Sequence, residues 1–443
     1  MQAALNQHRG GGHVRNVFAM KRTKVTVVAA GALLVLSGCS PEGAGSATTS
    51  LTTPVTVPKY AATLQEKIPA MMKSTAMPGA VVLIKSPKQG DWSGTFGTAK
   101  LGKKVPMSLK DYFRIGSNTK TMTSTVILQL VQEGKLSLND PISKFRPDVP
   151  NGQNITITQL SEMRSGLYSY TFDPGFNATL DSDPGKAWTP DELLTIAFAH
   201  PADFAPGAQY EYSNTNIVLL GTVIEKLTGM TASEAFQKRI FDPLGLKRTS
   251  LPVKTDAAIP DPHAQGYQFG TNVDTIDSYA VPSAQLPAAL NGTLKPINDT
   301  DANPSWGWTA GGAISTPDDL AVYVKALVGG GLLNAKTQKL RLDSIQPIVP
   351  GKPNSGGYGL GIVEFTPGIF GHDGQIPGYS SFMVYNIKTG DTIIIYTNLS
   401  ASPVDGTNAA VVLGKIVITT LYGSAGVPTA NPPAPNTTTS PSP

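Results

Sequence analysis

Apolar positions recur along the chain with two different periods. Around residues 60–75 and 122–131 they return every three or four residues, which predicts helices, and the segment 408–421 is also amphipathic. Residues 80–84, 380–386 and 391–398 are instead short apolar runs typical of strands. Residues 91–97 are the expected hairpin partner of the first run, and Lys388-Thr389-Gly390 joins the other two runs as a hairpin turn.

Strands from both ends of the chain flank helical and loop-rich sequence that fills most of 117–345. This order predicts an α/β fold of the α+β type, in which an antiparallel β-sheet is flanked by helices and carries a mostly helical inserted lobe. A doubly wound parallel fold would need alternating strands and helices, and that alternation is absent from the sequence.

The excess of positive charge and the only cysteine both lie in the N-terminal region. The formal charge is +4, but residues 1–24 hold five basic side chains and no acidic one, so the rest of the chain sums to −1. This near-neutral body gives no electrostatic reason to expect a nucleic acid partner. Basic residues from Lys21 precede an apolar stretch, 25–36, that is too short to span a bilayer, and then Leu-Ser-Gly-Cys ends at Cys39, the only cysteine.

The Leu-Ser-Gly-Cys sequence resembles a bacterial lipobox, in which the cysteine is lipidated. It predicts a signal segment over 1–39, with Met20 as the expected start, and a protein anchored outside the cytoplasmic membrane. Residues 40–58 are rich in Ser, Thr, Gly and Pro and predict a flexible linker. We expect the folded domain over 59–422 and a disordered Pro/Thr/Ser-rich tail over 423–443.

A candidate nucleophile stands where the helix of 122–131 begins. Ser117 precedes Lys120 by three residues, and positions i and i+3 lie on one helix face, so the lysine can reach the serine hydroxyl. Serine needs an adjacent base, and a desolvated lysine can act as one because burial favours its neutral form. Since Ser-x-x-Lys is common by chance, other segments must support this interpretation.

Two further segments carry groups that suit the same chemistry. Tyr212-Ser213-Asn214 follows a Pro-Gly turn, so a phenol that can pass protons and an amide that can hold a carbonyl can face one cavity. His372-Asp373-Gly374 stands just before a predicted strand, where glycine allows close approach and nearby amides can bind an oxyanion.

These motifs, in this order, resemble the serine β-lactamase/penicillin-binding superfamily, in its branch of class C β-lactamases, D-Ala-D-Ala carboxypeptidases and related esterases. That branch has Ser-x-x-Lys, Tyr-x-Asn and a third motif that is Lys-Thr-Gly or His-x-Gly. The supporting segments FRIGSNTK, ITITQLSEMRSGL, AGGAISTPDDL, YGLGI and GHDGQIPGYSS are also similar to family signatures and cover much of 75–400.

The resemblance implies a β-lactamase/transpeptidase-like fold and roles for named residues. Ser117 would attack the substrate carbonyl, while Lys120 and Tyr212 share the proton relay. Substrate binding would involve Asn214, which holds the acyl-side amide, together with His372, Asp373 and Gly374. The backbone N–H groups of Ser117 and Gln375 would form the oxyanion hole. No cofactor and no metal is expected.

The sequence departs from the family pattern at two positions. Asp373 replaces a threonine common in relatives that bind a substrate carboxylate; if it faces the cleft, it favours an ester, an amide or a substrate bearing an amine. Met163 occupies the histidine position of the Leu-Leu-x-His-x-Ser-Gly-Leu pattern, which we expect to change packing rather than chemistry.

Several functions remain open from the sequence. The leading hypothesis is a D-alanyl-D-alanine carboxypeptidase or penicillin-binding-type peptidase, monomeric, acting on a small molecule or a peptidoglycan peptide. An esterase or aminopeptidase, a class C-like β-lactamase and a non-catalytic envelope-binding lipoprotein are the alternatives. Other nucleophile arrangements fit poorly, because the chain has no Gly-x-Ser-x-Gly, HExxH or CxxC motif and only three histidines after residue 39.

Overall fold

The computed structural model describes residues 57–349, 351 and 356–423. The predicted signal segment with Cys39, nearly all of the predicted linker and all but the first residue of the predicted tail lie outside these residues. Among the described residues, no helix is both long and apolar enough for a membrane crossing.

The described part of the chain contains thirteen α-helices, eleven of which lie between residues 119 and 343. They are α1 (Lys59–Ser74), α2 (Thr119–Gln132), α3 (Ile157–Ser161), α4 (Pro174–Ser182), α5 (Pro190–Phe198), α6 (Asn214–Thr228), α7 (Ala232–Phe236), α8 (Asp242–Leu244), α9 (Leu286–Asn291), α10 (Trp308–Gly311), α11 (Pro317–Gly329), α12 (Ala335–Asp343) and α13 (Ala409–Tyr422).

The strands come mainly from the two ends of the described chain. They are β1 (Gly79–Lys85), β2 (Trp92–Gly97), β3 (Phe113–Arg114), β4 (Tyr267–Gln268), β5 (Ile297–Asn298), β6 (Ile314–Ser315), β7 (Gln346–Pro347), β8 (Gly357–Tyr358), β9 (Val363–Thr366), β10 (Ile369–Ile376), β11 (Tyr379–Asn386) and β12 (Thr392–Thr397).

One antiparallel sheet of eight strands, ordered β2-β1-β12-β11-β10-β9-β8-β7, joins the two ends of the domain. Strand β1 pairs with β12 from Ala80↔Thr397 to Lys85↔Thr392. The two hairpins, the terminal helix and the antiparallel sheet with a helical insertion are therefore confirmed.

Both faces of the central strands are covered by helices, and every residue of β12 is buried. Phe382 of β11 lies against Gly414 of α13, whereas Tyr385 lies against Gly329 of α11. Side chains three positions apart on a strand point to opposite faces, so α13 and α11 cover opposite faces of the sheet. A strand that is buried on both faces reads as a continuous apolar run, as β12 does.

The position of His372-Asp373-Gly374 corrects one prediction. The three residues lie within β10, paired with β11, and not before a strand. In the sequence, the neighbouring glycines indicate a loop. In the structure, they let other backbone segments approach β10 closely. A Cβ on Gly371 would stand 1.9 Å from the Met383 carbonyl oxygen, and a Cβ on Gly374 would stand 1.9 Å from the Ile115 carbonyl oxygen.

Candidate active site

Ser117 lies in a single 3-10 turn, Gly116–Asn118, directly before α2. Gly116 has φ +52, and a Cβ there would lie 2.6 Å from the backbone nitrogen of Gln375, so only glycine fits. The Asn118 side chain ties the turn to the sheet through a 2.6 Å hydrogen bond to Ser381 Oγ. The turn therefore holds the backbone of Ser117 beside Gln375, as the expected oxyanion hole requires.

Lys120 is fully buried under Ser117. Its Nζ lies 2.9 Å from Ser117 Oγ. It also lies 2.6 Å from Asn214 Oδ1 and 2.7 Å from the Ala310 carbonyl oxygen. Burial lowers the pKa of Lys120 well below its ordinary value, and the nearby Asp373 charge acts in the opposite direction.

These contacts orient a neutral lysine for base catalysis. Amide and carbonyl oxygens only accept hydrogen bonds, so the two N–H bonds of a neutral amine point to Asn214 and Ala310. The lone pair is then left to accept the hydroxyl proton of Ser117. The arrangement favours Lys120 as the group that takes the serine proton.

Tyr212 is placed by the segment just before α6. The N–H of Glu211 donates to the Met163 carbonyl at 2.9 Å, and Ser213 is the N-cap residue of α6. Burial is the largest cause that raises the pKa of Tyr212 well above its ordinary value, and a hydrogen bond with Ser117 acts in the opposite direction. Because its phenol stays protonated at neutral pH, Tyr212 is suited to donate a proton.

Asn214 is the first residue of α6, whereas the sequence predicts that it lies on a turn with Tyr212. Its Oδ1 accepts from Lys120, and its Nδ2 donates to Thr171 Oγ1 at 3.1 Å. Both ends of the amide are therefore occupied by protein groups. In this structure Asn214 holds Lys120, while its side chain still lines the cavity in front of Ser117.

His372 is neutral and held in one tautomer. Its Nδ1 lies against the Asp373 carbonyl oxygen, which can only accept, so Nδ1 carries the proton. Its Nε2 then accepts from the Tyr358 hydroxyl at 3.3 Å. Burial, with Lys120 nearby, lowers the pKa of His372 to about 3. The His-x-Gly motif therefore brings no positive charge to the site.

Asp373 faces the cleft, which answers the question that the sequence left open. It lines a cavity of about 360 Å³ together with Ser117, Tyr212 and Gln375. Its Oδ2 accepts from Asn408 Nδ2 at 3.2 Å. Burial is the main cause that raises the pKa of Asp373 to about 6, so it is largely ionised at neutral pH.

The structure thus brings Ser117, Lys120, Tyr212, Asn214, His372, Asp373, Gly374 and Gln375 to one cleft. We call Ser117, Lys120, Tyr212 and Asn214 the helical wall, and His372, Asp373 and Gln375 the strand wall. Sequence reasoning missed four supporting residues, which are Thr171, Ala310, Tyr358 and Asn408. Ala310 and Tyr358 open the AGGAISTPDDL and YGLGI segments, and Asn408 opens the amphipathic segment 408–421, so those positions were the available signals. Thr171 had none.

Met163 shows what replaces the family histidine below the site. The side chain is fully buried, and its sulfur accepts from Asn216 Nδ2 at 3.8 Å. The backbone has φ +59, which is unfavourable for a residue with a side chain. Its carbonyl accepts from the N–H of Glu211, in the segment that carries Tyr212. That the replacement changes packing rather than chemistry stays a prediction. Among the described residues, no cluster of His, Cys, Asp or Glu could hold a metal ion.

Comparison with known proteins places this site in a family. A profile described as Beta-lactamase matches residues 64–417. The chain belongs to the beta-lactamase family. With its amidohydrolase-like and penicillin-binding-like relatives, it is a serine hydrolase of the β-lactamase/transpeptidase fold.

Three similar proteins illustrate the range of that family. Protein flp of Staphylococcus aureus is 27% identical over 332 residues, 73% of this chain, and the chain spans only 60% of that relative's length. PbpX of Bacillus subtilis, named provisionally as a penicillin-binding protein, is 26% identical over 74% of this chain and 72% of its own. A D-stereospecific amidohydrolase from Streptomyces sp. superposes with a TM-score of 0.68 at 32% identity, covering 83% of this chain and 100% of that one.

Proposed function

We propose that this enzyme hydrolyses an amide or ester whose leaving group carries no carboxylate, through an acyl-enzyme on Ser117. The observation that carries the proposal is the Asp373 carboxylate, which lines the same cavity as the nucleophile. Two like charges about 4 Å apart at an effective dielectric near 20 repel by about 4 kcal/mol, or roughly a thousand-fold in binding. The similarity to a D-stereospecific amidohydrolase supports an amide as the scissile group.

In the acylation step, Ser117 Oγ bonds to the carbonyl carbon while its proton passes to Lys120 Nζ. The oxyanion of the tetrahedral intermediate is bound by the backbone N–H groups of Ser117 and Gln375. Tyr212 donates its proton to the leaving nitrogen or oxygen as the bond to carbon breaks. The ammonium of Lys120 then restores the proton of Tyr212, and hydrolysis of the ester on Ser117 by water releases the acid.

The test compares substrates that differ in the leaving group. Turnover of D-phenylalanine amide, of an aryl ester and of an N-acyl-D-Ala-D-Ala peptide is measured with the purified protein and with the Ser117→Ala variant. We expect the amide and the ester to be hydrolysed and the peptide to be turned over at least about a hundred-fold more slowly. Efficient release of D-alanine from the peptide would contradict the proposal.

A D-alanyl-D-alanine carboxypeptidase is the second candidate, and the penicillin-binding-like relatives favour it. Intact-mass measurement over time with a penicillin distinguishes the candidates. A lasting adduct on Ser117 supports a penicillin-binding peptidase, a transient adduct with drug hydrolysis supports a β-lactamase, and no adduct on an esterase-active protein supports the first proposal.

We also propose that the enzyme works outside the cytoplasmic membrane, anchored through a lipid on Cys39. The support is the lipobox-like sequence before the only cysteine. Metabolic labelling of cells with a palmitate analogue should mark the wild-type chain and leave Cys39→Ser unlabelled. Equal labelling of both proteins would contradict the anchor.

A further inference from the structure

Asp373 is held in a fixed position by a residue from another element. Asn408 is the N-cap residue of α13, and its Oδ1 accepts from the N–H groups of Ala410 and Val411. The Nδ2 of the same amide donates to Asp373 Oδ2 and, at 2.9 Å, to the Gly374 carbonyl. The helix cap thus fixes Asn408, and Asn408 fixes one oxygen of the carboxylate on the cleft side of β10.

The second carboxylate oxygen lacks such a partner. Within the described part of the chain, no side chain forms a hydrogen bond to Asp373 Oδ1. His372 Nδ1 lies 3.9 Å away, but its proton already points to the Asp373 carbonyl. Asp373 is only 8% exposed, and its own backbone N–H also acts on the carboxylate. A carboxylate has about four lone-pair sites, so it keeps capacity for a ligand that donates to it.

The charge around the cavity points to the kind of donor. Five acidic residues line the cavity, and no lysine or arginine does so in the ranges 57–349 and 356–423. The five are Glu211, Asp277, Glu364, Asp373 and Asp405. Lys120 lies behind Ser117 and faces its own three partners. The protein therefore leaves the positive charge to be supplied by the ligand.

The position of Asp373 indicates which part of the substrate carries that charge. In the proposed function, Asp373 on the strand wall faces the leaving group of the substrate, because its carboxylate excludes a leaving group that carries one. We propose that Asp373 Oδ1 forms a subsite for an ammonium group on the leaving group of the substrate. This inference rests on the proposed acyl-enzyme hydrolase and adds the charge of the leaving group to it.

A pair of probes with one shape and two charges tests the subsite. Acetylthiocholine carries a quaternary ammonium in its leaving group, and 3,3-dimethylbutyl thioacetate has a neutral carbon in the same place. Thiol release gives kcat/KM for each probe. We expect wild-type protein to prefer the cationic probe at least tenfold. In Asp373→Asn, and in Asp373→Thr as a second variant, the ratio should fall to about one.

Two controls separate a local contact from the general field of the protein. Asp343→Asn removes the same charge from α12, where Asp343 pairs with Lys339 at the surface, and it should keep the wild-type ratio. The wild-type preference should also persist at about 0.5 M salt, because a buried contact is screened less than a diffuse field. A preference that disappears in salt, or that survives in both Asp373 variants, would overturn the subsite.

The outcomes also separate this inference from the proposed function. Equal kcat/KM for the two probes, with turnover abolished in Ser117→Ala, would overturn the ammonium subsite and leave the serine hydrolase intact. Absence of turnover for both thioesters, for an aryl ester and for an amide by folded wild-type protein would overturn the proposed function and the subsite with it.

Discussion

The helical wall and the strand wall of the cleft differ in how many of their polar atoms already have partners. On the helical wall, Lys120 has three contacts and both ends of the Asn214 amide are occupied. On the strand wall, Gln375 Nε2 is buried without a partner, and Asp373 Oδ1 receives no side-chain hydrogen bond in the described chain. The saturated wall is preorganised for chemistry, whereas the unsaturated wall has binding capacity left for a substrate.

We expect the largest effect from a substitution that removes the nucleophile of the helical wall. Ser117→Ala should lower kcat for an aryl ester by at least about a thousand-fold and leave the far-ultraviolet circular dichroism unchanged. Intact-mass measurement should find no acyl adduct on the variant. Turnover at the wild-type rate would show that another residue is the nucleophile.

The second effect tests whether Asn214 sets the protonation of Lys120. Asn214→Asp keeps the shape but places a carboxylate 2.6 Å from Nζ, which favours the ammonium and raises the pKa of Lys120. At pH 7 the variant should lose about a hundred-fold in kcat/KM, because the ammonium cannot take the serine proton. The acidic limb of the pH–rate profile should move to higher pH, and an unmoved limb would contradict the role assigned to Asn214.

The third effect is on stability and concerns the strand wall. Burial raises the pKa of Asp373 from 3.8 to about 6, so the folded state binds more protons than the unfolded state between these values. Stability therefore falls as pH rises through this window, and above it the ionised carboxylate costs about 3 kcal/mol. Among the described residues, the groups that interact with this carboxylate are its own backbone N–H, Lys120, Asn408 and His372, together with the tyrosines Tyr210, Tyr212 and Tyr358.

Replacing Asp373 by Asn removes that cost. Asp373→Asn should raise the free energy of unfolding at pH 7 by about 1–3 kcal/mol, and the gain should nearly vanish at pH 4. Denaturant unfolding at the two pH values measures both numbers. An equal gain at pH 4 and pH 7 would show that ionisation of Asp373 is not the cause.

We expect the smallest effect from substitutions of two neighbouring tyrosines that line the cavity. Tyr358 donates to His372 Nε2, whereas the buried hydroxyl of Tyr210 has no hydrogen-bond partner among the residues that the structure describes. Tyr358→Phe should lower kcat about three- to tenfold, the value of one hydrogen bond, and raise the pKa of His372 because the neutral imidazole loses a donor. In ¹⁵N spectra of histidine-labelled protein, wild-type His372 should show a protonated Nδ1 and an unprotonated Nε2.

Tyr210→Phe is the matched control for this pair. It removes a hydroxyl with no hydrogen bond and should leave the His372 resonances unchanged. A protonated Nε2 in wild-type protein, or equal shifts in both variants, would contradict the tautomer that the structure assigns.

Local pattern predicted the elements of this fold well, because their information lies within short segments. The periods of α1, β1, β11, β12 and α13 follow from which side chains must face the core. The strand containing His372 was misplaced for the opposite reason. Gly371 is required by the Met383 carbonyl on the neighbouring strand, and Gly374 is required by the Ile115 carbonyl, which is distant in sequence. No local sequence pattern records such contacts.

The sequence by itself determined the family, the antiparallel sheet with its helical insertion, and the set of reactive residues. Those properties depend on residue type, order and periodicity, which the chain carries directly. The tertiary structure decided that Asp373 faces the cleft, that His372 is neutral and that Asn214 holds Lys120. Each depends on burial and on partners from distant segments, such as Asn408, Tyr358 and Thr171, because a group's charge and orientation are fixed by what surrounds it.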